Sequence, residues 1–197
     1  GDDAVSRAIP SALGRRGIAL IGVRAGAQFA RTSPTTYEIR PGEPEDFESL
    51  LSALRESGSL PDRILHLWSC APADADRRAA DVQAVGFETL VAVTQALGAE
   101  SSSDAVDITV VTAGLERVLP LDRVTSPDRA TVVGPVLVAP KELPHVRART
   151  IDLPLSVLDS EPDAALIDVL VQELVDPVSD SRVALRESRR FVEDLDR

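Results

Sequence analysis

Short apolar runs alternate with helical segments along this chain, and this alternation restricts the fold more than any other feature. Residues 18–23 form a short, continuous apolar run of strand length, residues 64–69 are predicted to be part of a buried strand, and residues 106–112 give the most convincing strand pattern. Such runs are typical of strands that are covered on both faces. Further strands are predicted at residues 36–39, 149–153, 182–186 and 190–192. The alternation predicts an α/β fold with a mainly parallel sheet and helices on both faces.

The helices are predicted from apolar stripes and from residues that favour helix ends. The clearest helix begins near Pro44 and ends at Gly58, with a stripe formed by Phe47, Leu50, Leu51 and Leu54. Other helices are predicted over residues 1–14, 75–97, 130–142 and 163–174. Residues 25–34 are expected to form a loop and residues 115–121 a short extended piece. Because this fold class begins with a strand and this chain begins with a helix, we expect a first strand to be missing upstream.

Charge and composition disfavour several classes of partner. The net charge of −11 argues against a nucleic-acid or anionic-membrane surface. No apolar run reaches the roughly 18 residues of a membrane-spanning helix, so none is expected. The single cysteine, Cys70, cannot form an internal disulfide or a cysteine zinc site, and it fits a reducing cytoplasm. Two isolated histidines and scattered acids predict no metal ligands.

Cofactor binding and reductase chemistry are also disfavoured by the sequence. A dinucleotide-binding loop needs G-x-G-x-x-G between a strand and a helix, but the junctions at residues 69–74 and 112–116 are not glycine-rich. One common reductase site needs a tyrosine and a lysine four residues later, because the lysine cation lowers the pKa of the phenol. The only tyrosine, Tyr37, is followed at that spacing by Pro41, and the only lysine, Lys141, is preceded by Leu137.

His66, Trp68 and Cys70 are the residues that most invite a catalytic interpretation. A Cys–His nucleophile pair needs direct contact and a third orienting group. On one continuous strand, positions four apart are about 13 Å apart, which is too far for a hydrogen bond. We therefore favour a structural role, with His66 as a hydrogen-bonded core residue and Cys70 as a small apolar filler. His145 is expected to lie in an exposed loop.

Several segments, taken in order, resemble one protein family. They are YEIRPGEPEDFESLL at residues 37–51, GSLPDRILHLWS at 58–69, TVVTAGL at 109–115, RTIDL at 149–153 and VALRESRRFV at 183–192. Together they resemble the ketoreductase region of modular type I polyketide synthases over nearly the whole chain. The last segment resembles the one just before that family's glycine-rich T-G-G-x-G loop.

The resemblance implies a truncated Rossmann-like fold without catalytic residues. In that family a structural half precedes a catalytic half that binds NADPH and carries Ser, Tyr and Lys. This chain resembles the first half alone, so residues 1–192 are expected to form the structural subdomain and residues 193–197 to begin a linker toward a catalytic subdomain. No catalytic, cofactor-binding or metal residue is carried over, and NADPH is expected only in the partner.

The implied role is to scaffold the catalytic ketoreductase subdomain among neighbouring domains of a bacterial, cytoplasmic multienzyme that makes a secondary metabolite. The chain alone is then not an enzyme, and the associated activity is NADPH-dependent β-ketoacyl reduction. Two alternatives remain open at this point. One is a free-standing Rossmann-like enzyme that acts through His66 and Cys70, and the other is a docking module within a multienzyme synthase.

Overall fold

The strands form two separate sheets in a computed structural model that describes residues 4–70, 79–100, 104–122, 127–158 and 160–193. The first sheet contains β1 (Gly22–Ala25), β2 (Ala30–Ser33) and β3 (Thr36–Ile39) in the order β1-β3-β2. β1 runs parallel to β3, and β2 runs antiparallel to it.

The second sheet is the larger and has five strands in sequential order. They are β4 (Arg63–His66), β5 (Val106–Ala113), β6 (Val146–Leu153), β7 (Arg182–Arg186) and β8 (Arg189–Val192). The pairs from β4 to β7 are parallel, and only β8 runs antiparallel to its neighbour. The prediction of a mainly parallel sheet is therefore confirmed for the central part of the molecule.

The described residues contain six α-helices, of which the first precedes the strands and the others lie between them. They are α1 (Ala4–Arg15), α2 (Pro44–Glu56), α3 (Ala79–Gln83), α4 (Thr89–Ala99), α5 (Val133–Glu142) and α6 (Ala164–Val175). A π-helical turn at Ala84–Glu88 joins α3 to α4, and short 3-10 turns lie at Trp68–Cys70, Pro127–Val132 and Leu155–Leu158. The helix predicted over residues 130–142 is found as the end of the 3-10 turn at Pro127–Val132 followed directly by α5.

The central strands supply side chains to a core on each face of the sheet, because successive side chains of a strand point to opposite faces. Val111 and Ile151 pack beneath α1 and α6. Val110 and Ala148 pack on the opposite face, beneath α2, α4 and α5. Helices on both faces are thus confirmed.

Helix α2 follows its predicted pattern closely. Its whole apolar stripe is buried, and its first turn begins at Pro44. The Asp46 carboxylate in this turn accepts hydrogen bonds from the Arg40 backbone amide at 2.8 Å and the Arg40 guanidinium at 2.7 Å. The Arg40 side chain thereby lowers the pKa of Asp46. This contact fixes the end of β3 to the start of α2.

Other expectations about individual elements are wrong. The run at residues 18–23 was expected to be covered on both faces, but the strand there is β1, which lies at a sheet edge and is mostly exposed. Strand β2 occupies part of the expected loop at residues 25–34, because it pairs with β3 from outside. The strand expected at 64–69 ends at His66, and residues 115–121 pair with no strand described by the structure. The helix predicted over residues 1–14, by contrast, is confirmed for its described part by α1, which contains Pro10 on its exposed face.

Residues Ala80–Ala99 form a helical stretch that is long and apolar enough, by length and composition alone, to cross a membrane. The sequence did not predict this. Within the fold, however, its buried residues Leu90, Val93 and Leu97 pack into the core beneath the central sheet. A core helix passes the same test of length and composition.

Candidate functional site

The carboxyl ends of β4 and β5 are where an open α/β sheet usually binds a ligand. Strand β4 ends at His66, and the chain then turns sharply through Trp68–Cys70. Most of the predicted junction at residues 69–74 lies outside the described residues, which resume at Ala79. The described part of this region consists of His66, its neighbours and the end of β5.

His66 is a buried, neutral side chain at this turn. It is 7% exposed, and its Nε2 atom lies 3.0 Å from the Ser69 hydroxyl. The rings of His66 and Trp68 meet edge to face with centroids 5.9 Å apart. Burial lowers the pKa of His66 to about 4, since the charged form would lose its hydration. These contacts fix the turn in the way expected of a core histidine.

The structure brings His66 together with Ser69 and Trp68, but it places Cys70 elsewhere. Trp68 is partly buried and packs against the core beneath α2, α4 and α5. Cys70 is fully buried in the other core, beneath α1 and α6. The change of side follows from the 3-10 turn, which replaces the continuous strand that the sequence suggested. A thiol in that position is shielded from substrate.

We expect the stability of this protein to fall between pH 6.5 and pH 4 through His66. The unfolded chain binds a proton near pH 6.5, whereas folded His66 binds one only near pH 4, so the folded state is favoured above this range. The contribution that is lost as the pH falls is roughly 3 kcal/mol. Chemical denaturation of the wild type and of His66→Gln at pH 7.0 and pH 4.5 would measure it.

The His66→Gln variant should lose less stability than the wild type over this pH interval, because it lacks the titrating group. His145→Gln is a matched control, since His145 is partly exposed. It should keep the wild-type dependence on pH. Equal pH dependence in the wild type and in His66→Gln would contradict a buried neutral histidine.

The end of β5 is closed by the carboxylate of Asp152, a residue of β6 that is 0% exposed. This carboxylate accepts hydrogen bonds from the Thr112 hydroxyl at 2.7 Å and from the backbone amides of Leu115 and Glu116 at 2.9 and 3.0 Å. Arg186 also donates to it at 2.7 Å. Backbone amides at such a strand end can bind phosphate. Here an internal acid occupies them.

Arg186 extends this cluster toward the end of the chain. Its guanidinium also donates to the Asp122 carboxylate and to the Asp152 and Glu116 backbone carbonyls, each at 2.9 Å. Arg182, also on β7, pairs with the Glu116 carboxylate. The loop after β5 is thereby tied to β7 by charge-assisted hydrogen bonds.

A second cluster of buried charges lies within the sheet itself. Arg149 of β6 is 1% exposed, and it donates to the Glu173 carboxylate of α6 at 2.7 Å and to the Thr109 hydroxyl at 3.2 Å. Glu173 also accepts from Arg190 of β8 at 2.8 Å. Burial lowers the pKa of Arg149, yet a guanidinium stays charged under all ordinary conditions. The cluster joins β6, α6 and β8.

The remaining chemically active side chains lie apart from these clusters. Tyr37 is buried in β3 beside Phe29, whereas Lys141 is exposed in the last turn of α5. His145 is only partly exposed and lines a cavity of about 240 Å³ at the start of β5, together with Asp62 and Asp104. Among the described residues, no three His, Cys, Asp or Glu side chains are grouped so that they could hold a metal ion.

Sequence reasoning missed Asp152, Arg186 and Arg149 as central residues. The available signal was their position inside predicted strands, where a charged residue must be paired if it is buried. Their pairing makes these clusters suited to holding the fold together. The Asp152 carboxylate accepts four hydrogen bonds from protein groups, two at each oxygen, which leaves it little capacity for a ligand.

Comparison with known proteins identifies the family. A family model described as "Beta-ketoacyl synthase-like, N-terminal" matches residues 1–173. The chain belongs to this family. A C2-type ketoreductase from a modular polyketide synthase is 29% identical over 81% of the chain, with a TM-score of 0.59. The resemblance to polyketide synthase ketoreductases is thereby confirmed.

Two further solved structures support the fold of this family member. One is a multidomain structure with adenylation, ketoreductase and pseudo Asub parts from a keto acid-selecting NRPS module, with TM-score 0.82 and 23% identity over 98% of the chain. The other is an N-terminal ketoreductase from the macrolactin assembly line, with TM-score 0.70 and 17% identity over 100% of the chain. They confirm the Rossmann-like α/β fold.

These relatives are much larger than the chain. It spans 16% of the NRPS module structure, 39% of the macrolactin ketoreductase and 35% of the C2-type ketoreductase. No curated protein matches the chain. The activities that belong to the larger molecules therefore reach this chain only as proposals.

Proposed function

We propose that this chain is a non-catalytic scaffolding subdomain of a polyketide synthase ketoreductase region. In this proposal it stabilises an adjacent reductase half, which alone binds NADPH and reduces β-ketoacyl chains in the cytoplasm. The observation that carries the proposal is the cluster around Asp152. An internal carboxylate fills the backbone amides at the strand end where related folds bind their ligands.

The small share of the relatives that the chain spans supports the same proposal. A segment that matches about a third of a ketoreductase corresponds to one part of a larger reductase. Such a part would contribute by packing against its neighbour, and the buried ion pairs of Asp152 and Arg149 would hold its own fold rigid for that role. His66 contacts Trp68, which packs in one core, whereas Cys70 is buried in the core on the other face of the sheet. This separation disfavours the alternative in which His66 and Cys70 act as a catalytic pair.

We expect NADPH to leave the thermal unfolding midpoint of this chain unchanged, because the Asp152 carboxylate already occupies the backbone amides at the end of β5. A ligand at 100 times its Kd would stabilise the folded state by about 2.7 kcal/mol, which is easily measured. In contrast, we expect the reductase half encoded by the same synthase to gain thermal stability and activity when this chain is added. Differential scanning calorimetry and an assay of β-ketothioester reduction would measure both effects.

Saturable NADPH binding by the chain alone would contradict the proposal. A reductase half that is equally stable and active without the chain would contradict the scaffolding role. Binding to carrier or dehydratase domains, without binding to the reductase half, would favour the docking module instead. The Asp168→Asn variant, which changes an exposed acid on α6, is a suitable control for nonspecific charge effects.

A further inference from the structure

A cavity of about 240 Å³ opens at the edge of the main sheet where β4, β5 and β6 begin. Asp62, Ala105 and His145 line it, and they come directly before these three strands. We call it the edge cavity. It lies at the opposite end of the strands from His66 and Asp152, so it is separate from the region where related folds bind their ligands.

The walls of the edge cavity are mostly apolar. Leu51 of α2, Leu97 of α4 and Val106 of β5 line it, and all three side chains are buried. Leu60 and Pro61 line it from the loop before β4, and Leu60 is 38% exposed, so the apolar wall continues to the protein surface. An aliphatic group that entered this cavity would lose its contact with water, which favours binding.

The charged side chains that line the edge cavity are acidic. They are Asp62, Glu100 and Asp104, and neither Lys nor Arg is among the described residues that line it. Residues 101–103, which lie outside the described residues, are serines and carry no charge. The chain as a whole carries a net charge of −11. Acids of one sign in a cavity with apolar walls concentrate the negative potential and attract cations.

One guanidinium of the chain itself already binds an acid of the edge cavity. Arg55 of α2 forms an ion pair with the Glu100 carboxylate, whose side chain is 12% exposed. This pair neutralises one of the three acids. The Asp62 carboxylate, in contrast, has no ion-pair partner within the described part of the chain. At least one negative charge of the edge cavity is therefore left for a cation from outside.

The size of the edge cavity favours a single side chain as the ligand. Cavities that bind cofactors or drug-sized molecules usually have roughly 300–1,000 Å³, and this cavity lies below that range. The described residues contain no group of three His, Cys, Asp or Glu side chains suited to a metal ion. A cation on an aliphatic stem, as in lysine or arginine, fits both the walls and the charge. Arginine fits better, because its guanidinium is weakly hydrated and binds carboxylates at two points.

We propose that the edge cavity binds the side chain of one arginine that a partner polypeptide presents. The aliphatic stem of this arginine would pack between Leu60 and Leu97, and its guanidinium would donate to the Asp62 carboxylate. Apolar residues on either side of the arginine would cover Leu60 and Pro61 at the protein surface. The complementary charges would give this contact its specificity. The proposal does not rest on the proposed function, because any polypeptide with such an arginine would suffice.

The test titrates the chain with two short peptides and follows its backbone amide signals by NMR. One peptide is acetyl-Gly-Leu-Arg-Leu-Gly-amide, and the other carries citrulline, which has the shape of arginine without its charge. We expect the arginine peptide to shift the signals of Leu60, Asp62 and Val106 saturably and to leave that of His66 unchanged. It should bind about tenfold more tightly than the citrulline peptide, as expected for one charge-assisted hydrogen bond. Equal affinities, or no saturable shift, would overturn the proposal.

A pair of variants separates binding in the edge cavity from attraction by the net charge. Asp62→Asn changes an exposed side chain and should weaken the binding of the arginine peptide about tenfold. Asp168→Asn removes the same charge from the exposed face of α6 and should leave binding unchanged. Equal losses in both variants would contradict a specific site. If n-butylguanidinium, which lacks the flanking residues, bound as tightly as the peptide, the ligand would be a small free cation and the proposed occupant would be wrong.

Discussion

Replacing Arg149 with methionine is expected to lower the free energy of unfolding by about 3–5 kcal/mol. The change removes one partner of a buried ion pair and leaves the Glu173 carboxylate with Arg190, which is more exposed. It also removes a donor to the Thr109 hydroxyl. Since whole domains have only about 5–15 kcal/mol of stability, this loss would be a large fraction of the total. Urea denaturation at pH 7 would measure it.

Arg189→Met is the matched control, because it makes the same change at an exposed position of β8. Its effect should stay within about 0.5 kcal/mol. A double-mutant cycle with Glu173→Gln should give a coupling energy above about 1 kcal/mol, as expected for groups in direct contact. If Arg149→Met were no more destabilising than Arg189→Met, the ion pair would not contribute to the fold.

The sequence predicted those elements whose pattern agrees with their final environment. The stripe of α2 repeats at helical spacing, and all four of its residues, from Phe47 to Leu54, are buried as expected. Strand β5 is rich in β-branched residues, is buried at every position and lies between β4 and β6 inside the main sheet. In both elements local propensity and tertiary packing favour the same structure, so short-range reasoning is sufficient.

The sequence could not predict which charged residues would be buried. Arg149 and Asp152 belong to a predicted strand, but their burial depends on Glu173 and Arg186, which are 24 and 34 positions away. No local pattern contains that pairing. The candidate site failed for a related reason, since the turn at Trp68–Cys70 reverses the side on which the following residue packs. The apolar residues at 64–69 predict a buried segment, but they do not indicate where the strand ends and the turn begins.

Asp152→Asn is expected to lower the free energy of unfolding by about 3–5 kcal/mol. The substitution preserves the shape of the side chain but removes the negative charge that faces Arg186 at 2.7 Å. It also turns one acceptor into a donor, which then meets the Thr112 hydroxyl or a backbone amide. The buried guanidinium of Arg186, which is 3% exposed at its side chain, would keep only Asp122 as a carboxylate partner. Thermal and urea denaturation would measure the loss.

Two further measurements decide whether Asp152 fills a strand end or merely adds stability. Hydrogen exchange of the Leu115 and Glu116 amides should accelerate in Asp152→Asn, because both amides donate to this carboxylate. Asp168→Asn, on the exposed face of α6, should leave their exchange unchanged.

If the Asp152 variant bound NADPH or inorganic phosphate saturably, the acid would be masking an anion site and the scaffolding proposal would fail. We expect no binding, because Arg182 and Arg186 tie the loop after β5 to the neighbouring strand through several other contacts.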